Sequence, residues 1–137
     1  MTSSTAIFWP VMAQVLLTLV VYVMVSYRRV GAVKAGTARP SDFKVPSIEP
    51  EASATAARNL SNQFELPVLF YVACLSLFVT GGAGQAAVIA AWAFVLARVA
   101  HAWIHLTSNR IRLRRPLFIL SLVINLVQWL LLALHIA

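Results

Sequence analysis

Four long apolar stretches, separated by shorter polar ones, dominate the pattern of this 137-residue chain. They cover residues 6–26, 66–80, 86–104 and 116–137. A helix needs about 20 residues to cross the hydrocarbon core of a bilayer. The second stretch reaches that length only if its helix begins upstream and takes Glu65 into the membrane. We therefore predict transmembrane helices at about 6–27, 56–80, 85–108 and 116–136, in one domain that spans residues 1–137.

The composition supports an all-α, integral membrane four-helix bundle. Hydrophobic residues make up 61% of the chain and charged residues only 11%, and the mean hydropathy is +0.83. A soluble domain of this length could not bury so much apolar surface. Pro67 lies inside the second predicted helix and cannot donate a backbone hydrogen bond, so we expect a kink beside Glu65.

The net charge of +7 is distributed unevenly along the chain. Basic residues are concentrated in the predicted loop 28–55 and in the segment from Arg110 to Arg115, whereas residues 81–85 and both termini carry no Lys or Arg. The positive-inside rule places the two basic loops in the cytoplasm and both termini on the other side of the membrane. Topology and contact with anionic lipid headgroups explain this charge, so we expect no nucleic-acid partner.

Two of the predicted helices each carry a polar stripe. The stripe on the second helix consists of Arg58, Asn62 and Glu65, and the stripe on the third consists of Arg98, His101 and His105. At about 100° per helical residue, each trio occupies one narrow face. Ionisable groups in a membrane segment are costly unless they face protein, water or one another. We therefore expect both stripes to face a shared polar site.

The short connection between these two helices makes them antiparallel neighbours, which fixes an approximate register. The register places Glu65 beside Arg98, where an ion pair would relieve both buried charges. The other polar residues and the arginine-rich loop would then surround a cavity whose preferred guest is an anion with peptide-like groups. Two alternatives are an ion-pair network that only locks the bundle, and a small transporter or channel subunit, which is disfavoured because the polar residues cluster at one end.

The second helix carries a sequence that resembles the signature of the MAPEG family, the membrane-associated proteins in eicosanoid and glutathione metabolism. Residues 58–65 read RNLSNQFE, with the spacing R-x-x-x-N-x-x-E. The segment ARVAH at residues 97–101, the arginine-bearing loop and Pro116 are similar to the family's second motif. The resemblance covers nearly the whole chain.

The resemblance implies a homotrimer that binds glutathione at subunit interfaces, toward the cytoplasmic side. By the family's motif Arg58, Asn62 and Glu65 would contact glutathione, with Arg98 and His101 supporting it. His105, on the same stripe, is the sixth predicted glutathione-binding residue. A loop arginine would stabilise the thiolate, and two alignments leave two candidates: Arg114 when Pro116 and Phe118 are aligned, and Arg112 when His105 is aligned. His105 stands where the family pattern usually has a tyrosine, and Phe118 stands near another tyrosine of the pattern.

The implied function is a membrane-bound, glutathione-dependent transferase or peroxidase that acts on hydrophobic electrophiles or lipid hydroperoxides. Its lipophilic substrate would enter sideways from the bilayer beside the fourth helix, and glutathione would be the cosubstrate. The alternative function is a non-catalytic membrane scaffold or lipid-binding protein that keeps the fold. No metal site is predicted.

Overall fold

The computed structural model describes residues 4–45 and 49–137, and every regular element in these residues is helical. The main helices are α1 (Phe8–Lys34), α2 (Glu51–Gln63), α3 (Leu66–Val79), α4 (Gln85–Leu106) and α5 (Ile111–Ile136). Short 3₁₀ helices at Thr5–Ile7 and Pro40–Phe43 complete the described secondary structure.

Four segments are long and apolar enough to cross a membrane. They are Thr5–Lys34, Glu51–Val79, Gln85–Leu106 and Ile111–Ile136, whose most apolar windows have mean hydropathies between 1.5 and 2.4. The prediction of an all-α, multi-pass integral membrane protein is confirmed.

The second membrane span consists of two helices with a break between them. α2 ends at Gln63 and α3 begins at Leu66, and Glu65 has the non-helical angles φ −91° and ψ −98°. Pro67 has no N–H to donate to the carbonyl of Gln63, so the chain cannot continue as one regular helix here. The predicted kink beside Glu65 is therefore present, and it interrupts the helix completely.

Three helix ends differ from the sequence prediction. α1 continues past Tyr27 to Lys34, and α2 begins at Glu51, so the polar connection between the first two spans is shorter than the predicted loop 28–55. α5 begins at Ile111, and Pro116 lies inside it. Pro116 removes only one intrahelical hydrogen bond, so α5 can continue through it. The polar and basic residues before Pro116 therefore extend α5 beyond its apolar part. Apolar patterning alone marks only the buried part of such a helix.

The apolar core fills the half of the bundle that contains α3 and the start of α4. Phe70 and Phe94 stack with their ring centroids 4.3 Å apart and their planes within 7° of parallel. Ala87 and Ala91 are buried, and such small side chains allow neighbouring helices to approach closely. Cys74 is also buried in this core and accepts a hydrogen bond from Gln128 at 3.5 Å.

The described N-terminus and the C-terminal helix meet beside the turn between α3 and α4. The N–H of Ser4 donates to the carbonyl of Ala83 at 3.0 Å, and His135 Nε2 lies 2.9 Å from the carbonyl oxygen of Thr80. The opposite end of the bundle, which contains Arg28 and the α4–α5 junction (residues 107–110), is called the basic end below. The contacts made by Ser4 and His135 therefore lie at the opposite end of the bundle from the predicted polar site.

Arg28 connects three helices at the basic end. Its Nη1 donates to the hydroxyl of Thr55 at 2.6 Å, and its Nη2 donates to the carbonyl of Leu106. The carbonyl of Leu106 is among the last four of α4, which have no intrahelical donor. Arg28 therefore contributes to the packing of α1, α2 and α4 in addition to any effect on topology.

Substitution of Arg28 tests this contact. Arg28→Met keeps the aliphatic stem but leaves the hydroxyl of Thr55 and the carbonyl of Leu106 without their donor. We expect it to lower the free energy of unfolding by about 1.5–3 kcal/mol, the usual contribution of hydrogen bonds to a charged group. The matched control is Lys34→Met, which removes an exposed cation from the end of the same helix. Equal thermal midpoints in detergent for the two variants would contradict this role.

Candidate functional site

A cavity of about 310 Å³ opens at the basic end between α2, α4 and α5. Its lining residues are Arg58, Asn62, Glu65, His101, Ile111, Arg114, Arg115 and Phe118. The structure thus brings one polar stripe of α2 together with a histidine of α4 and two arginines of α5. Of the predicted site residues, Arg98, His105 and Arg112 do not line this cavity.

The residues of α2 lie at the open edge of the cavity. Arg58 and Glu65 are exposed and Asn62 is half-buried. The buried face of α2 is displaced by one position and includes Asn59 and Gln63. Arg58 is exposed on the outer side of α2 and Glu65 is exposed in the break after it, so both have free access to a ligand or to a neighbouring protein surface.

The residues of α4 form the closed back of the site. Arg98, His101 and His105 are at most 2% exposed. His105 Nδ1 lies 3.5 Å from Asn62 Nδ2, and Arg98 Nη2 donates to the carbonyl of Asn62 at 2.8 Å. Arg98 and His105 therefore support Asn62 from behind. The ring of His101 packs against Phe118, with centroids 5.9 Å apart, and so forms part of the cavity wall.

The expected ion pair between Glu65 and Arg98 is absent. Within the described residues, the salt bridge that forms joins Arg29 to Glu49. Arg98 donates instead to the backbone at the helix break, where carbonyls lose intrahelical donors, and Glu65 points outward at the cavity edge. The predicted register assumed two regular helices. It placed Glu65 beside Arg98 because it could not include the break that reorients Glu65. Arg98 Nε and Nη1 and His101 Nδ1 are buried without a hydrogen-bond partner among the described residues.

A chain of buried amides, which the sequence analysis missed, lies beside the site. Gln14 donates to Gln63 Oε1 at 3.0 Å, and Gln63 donates to Asn59 Oδ1 at 3.1 Å. Asn59 in turn donates to the carbonyl of Ala102 at 3.3 Å. The spacing of Asn59 and Gln63 by four residues was the available signal. These contacts join α1, α2 and α4, so they fix the helix on which the cavity residues are carried.

The α4–α5 junction separates the loop arginines into two groups. Arg114 and Arg115 line the cavity, whereas Arg112 lines a different groove of about 530 Å³ that includes Arg110. All three follow the start of α5 at Ile111, so Arg112 points about 200° away from Arg114 around the helix. Arg114 Nη1 also donates to Asn109 Oδ1 at 2.6 Å. Of the two predicted activators, only Arg114 faces the cavity.

The cavity carries an excess of positive charge. Its side chains include three arginines (Arg58, Arg114 and Arg115) and one carboxylate (Glu65), so with His101 neutral the formal sum is 3 − 1, or +2. No group of three or more His, Cys, Asp or Glu residues in the described part of the chain could hold a metal ion. The arrangement is therefore suited to an organic anion that also carries one cationic group.

A second groove lies on the other side of α2, between it and α1. It has a volume of about 490 Å³ and its lining includes Tyr22, Arg29, Glu49, Arg58 and Phe64. Arg29 donates to both carboxylate oxygens of Glu49, at 2.9 and 2.6 Å. This bidentate contact holds the pKa of Glu49 below its usual value. Arg58 borders both grooves, so its side chain can serve either side of α2.

Comparison with known proteins places the chain in context. A model of the MAPEG family matches residues 6–134. No curated protein and no solved structure matches the chain. The family match includes all the helices that contribute residues to the cavity.

The missing ion pair leads to a prediction about coupling. Glu65→Gln and Arg98→Met should show a coupling in the free energy of unfolding below about 1 kcal/mol, because their charges interact only through space and no salt bridge joins the two side chains. Breaking one partner of a true buried ion pair costs about 3–5 kcal/mol. Thermal unfolding of the two single variants and the double variant in detergent measures this coupling. A coupling of several kcal/mol would show that the pair forms in the assembled protein.

Proposed function

Because this chain belongs to the MAPEG family, we propose that it is a membrane-bound, glutathione-dependent transferase or peroxidase that acts on hydrophobic electrophiles or lipid hydroperoxides. The observation that carries the proposal is the single cavity that unites Arg58, Asn62 and Glu65 with Arg114. Glutathione offers two carboxylates, one ammonium group, two peptide groups and a thiol. The carboxylates, the ammonium group, one peptide group and the thiol each have a complementary side chain in the cavity lining.

Charge complementarity supports glutathione as the cosubstrate. Arg58 and Arg115 would receive the carboxylates, Glu65 the ammonium group, and the Asn62 amide a peptide group. Glutathione with an ionised thiol has a formal charge of −2, from two carboxylates, one thiolate and one ammonium. This value matches the +2 of the cavity, so binding would favour the thiolate over the thiol.

Arg114 is the proposed activator of the thiol. A guanidinium keeps its proton at all ordinary pH values and acts as a fixed positive charge. Its proximity would lower the pKa of the glutathione thiol from about 8.5, releasing the thiol proton to solvent. The thiolate sulfur would then form a bond to the electrophilic carbon of the second substrate, whose leaving group departs with the bonding electron pair. Arg98, His101 and His105 would support the site from behind.

The exposed charged groups of the second span support assembly of this chain into a homotrimer. Arg58 and Glu65 are exposed on a segment capable of spanning a membrane, and such groups are costly next to lipid. A homotrimer in which a neighbouring subunit covers this face of α2 would remove that cost and close the cavity. The distribution of arginines supports a basic end in the cytoplasm and both termini on the opposite side.

The second substrate would approach from the bilayer beside α5. The outer face of that helix is apolar, with Leu122, Leu126 and Leu130 all exposed. One observation favours the alternative of a non-catalytic lipid-binding protein: Phe118 lines the cavity and has no hydroxyl group to donate to a ligand. Glutathione binding and thiolate formation decide between the two functions.

Substitution of Arg58 tests binding. Arg58→Ala should weaken glutathione binding by about 1.5–3 kcal/mol, because it removes a charge-assisted hydrogen bond to a carboxylate. Arg112→Ala is the matched control, since it removes the same charge at the same end of the bundle but outside the cavity. Isothermal titration in detergent measures both affinities. Failure of the wild-type protein to bind millimolar glutathione would favour the scaffold or lipid-binding function.

Substitution of Arg114 tests activation. Arg114→Ala should leave the affinity for glutathione within about tenfold, or about 1.4 kcal/mol, while the ultraviolet absorbance of the bound thiolate at neutral pH disappears. Turnover of a generic aryl halide should fall in parallel, because the arginine acts on the ionisation of the thiol. Persistence of a wild-type thiolate signal in this variant would exclude Arg114 as the activator.

A further inference from the structure

The α4–α5 junction turns on one residue with an unusual backbone conformation. Asn109 has φ +47° and is the only non-glycine residue with positive φ in the described ranges 4–45 and 49–137. Its N–H donates to the carbonyl of Ile104 at 2.7 Å, which joins the turn to the end of α4. The left-handed conformation is unfavourable for most L-residues, and asparagine is among the few that adopt it readily.

The side chain of the same residue lines the neighbouring groove and contacts Arg114, which lines the cavity. Asn109 Oδ1 accepts a hydrogen bond of 2.6 Å from Arg114 Nη1, which uses one of the five N–H groups of the guanidinium. The N–H of Arg114 also donates to the carbonyl of Arg110 at 3.0 Å, so both ends of this residue are held by the junction. A free arginine side chain loses about 2 kcal/mol of rotamer entropy when it is fixed. Fixing it in advance reduces that cost at the moment of ligand binding.

We propose that Asn109 is a positioning residue that holds the Arg114 guanidinium over the cavity, and that its neutrality leaves the full charge of Arg114 available to a glutathione thiolate. This inference rests on the proposed function. Asn109 provides both the left-handed turn after α4 and the hydrogen bond to Arg114. The turn that follows α4 therefore determines where the Arg114 guanidinium lies. A carboxylate at position 109 would hold the arginine equally well but would cancel most of its field.

Other charged and titratable groups also face the position of the guanidinium. From α2 and the break after it these are Arg58 and Glu65, from α4 His101 with His105 behind it, and from α5 Arg115. None of these groups is changed by a substitution at position 109. A shift in the ionisation of the bound thiol in the uncharged Asn109→Gly variant therefore reports on Arg114, whereas Asn109→Asp also adds the effect of its own charge.

Three variants separate positioning from structural support. Asn109→Gly keeps the left-handed backbone, because glycine adopts positive φ without strain, and removes the acceptor. Asn109→Asp keeps the shape and the acceptor but adds a negative charge. The matched control is Thr107→Ala, which removes a 2.7 Å hydrogen bond to the carbonyl of Trp103 in the same junction without touching Arg114. Each full-length protein in detergent is loaded with glutathione, and thiolate absorbance is measured against pH, together with kcat and KM for an aryl halide.

We expect Asn109→Asp to raise the pKa of the bound thiol by about one unit or more, and Asn109→Gly by about half a unit. At a pH at least one unit below the wild-type thiol pKa, where the thiolate fraction follows the pKa directly, kcat should fall about tenfold or more in the aspartate variant and about threefold in the glycine variant. KM for glutathione should change less than kcat, and Thr107→Ala should keep the wild-type pH profile.

Two results would overturn the inference alone. One is a wild-type pH profile in both Asn109 variants, and the other is an equal shift in Thr107→Ala, which would indicate a purely structural effect of the junction. A wild-type protein that binds glutathione only as the thiol, or not at all, would overturn the proposed transferase function together with this inference.

Discussion

Pro67 cannot donate the backbone hydrogen bond that would continue the second span as one helix, and the geometry of the polar site depends on how the protein accommodates this loss. The chain breaks between α2 and α3, and Arg98 donates to a carbonyl at the break. In a bilayer no water is available to satisfy such a carbonyl, so a buried donor is needed. The break also directs Glu65 to the cavity edge, where its carboxylate is free for a ligand.

The two halves of the second span serve different purposes because of this break. α3 packs into the apolar core through Phe70 and Leu77, while α2 is held by buried amides such as Asn59 and presents charged groups at its outer edge. Cations from α5 complete the basic end. The result is a polar site at one end of an otherwise apolar bundle, with a net positive charge that would favour an anionic ligand.

Apolar patterning was sufficient to predict the fold class and the four spans, because the thickness of the bilayer fixes the length of a spanning helix. The kink followed from Pro67, because proline disturbs the backbone hydrogen bonds next to it. Apolar patterning placed the start of α5 at Pro116, since basic residues carry no apolar signal even when they are helical. The spacing of Arg58, Asn62 and Glu65 indicated that these side chains lie together, and they line one cavity. The partner of Arg98 and the hydrogen bond between Asn109 and Arg114 depend on backbone geometry at a break and a turn, which residue spacing does not encode.

The central claim is that the cavity binds glutathione as its thiolate, and proton release on binding tests it most directly. Isothermal titration of the wild-type protein with glutathione, in buffers of different ionisation enthalpy, counts the protons released per molecule bound. At pH 7 free glutathione is almost entirely a thiol, since a thiol pKa is about 8.5. The account predicts release of nearly one proton per bound glutathione. Binding without proton release, or no binding, would contradict it.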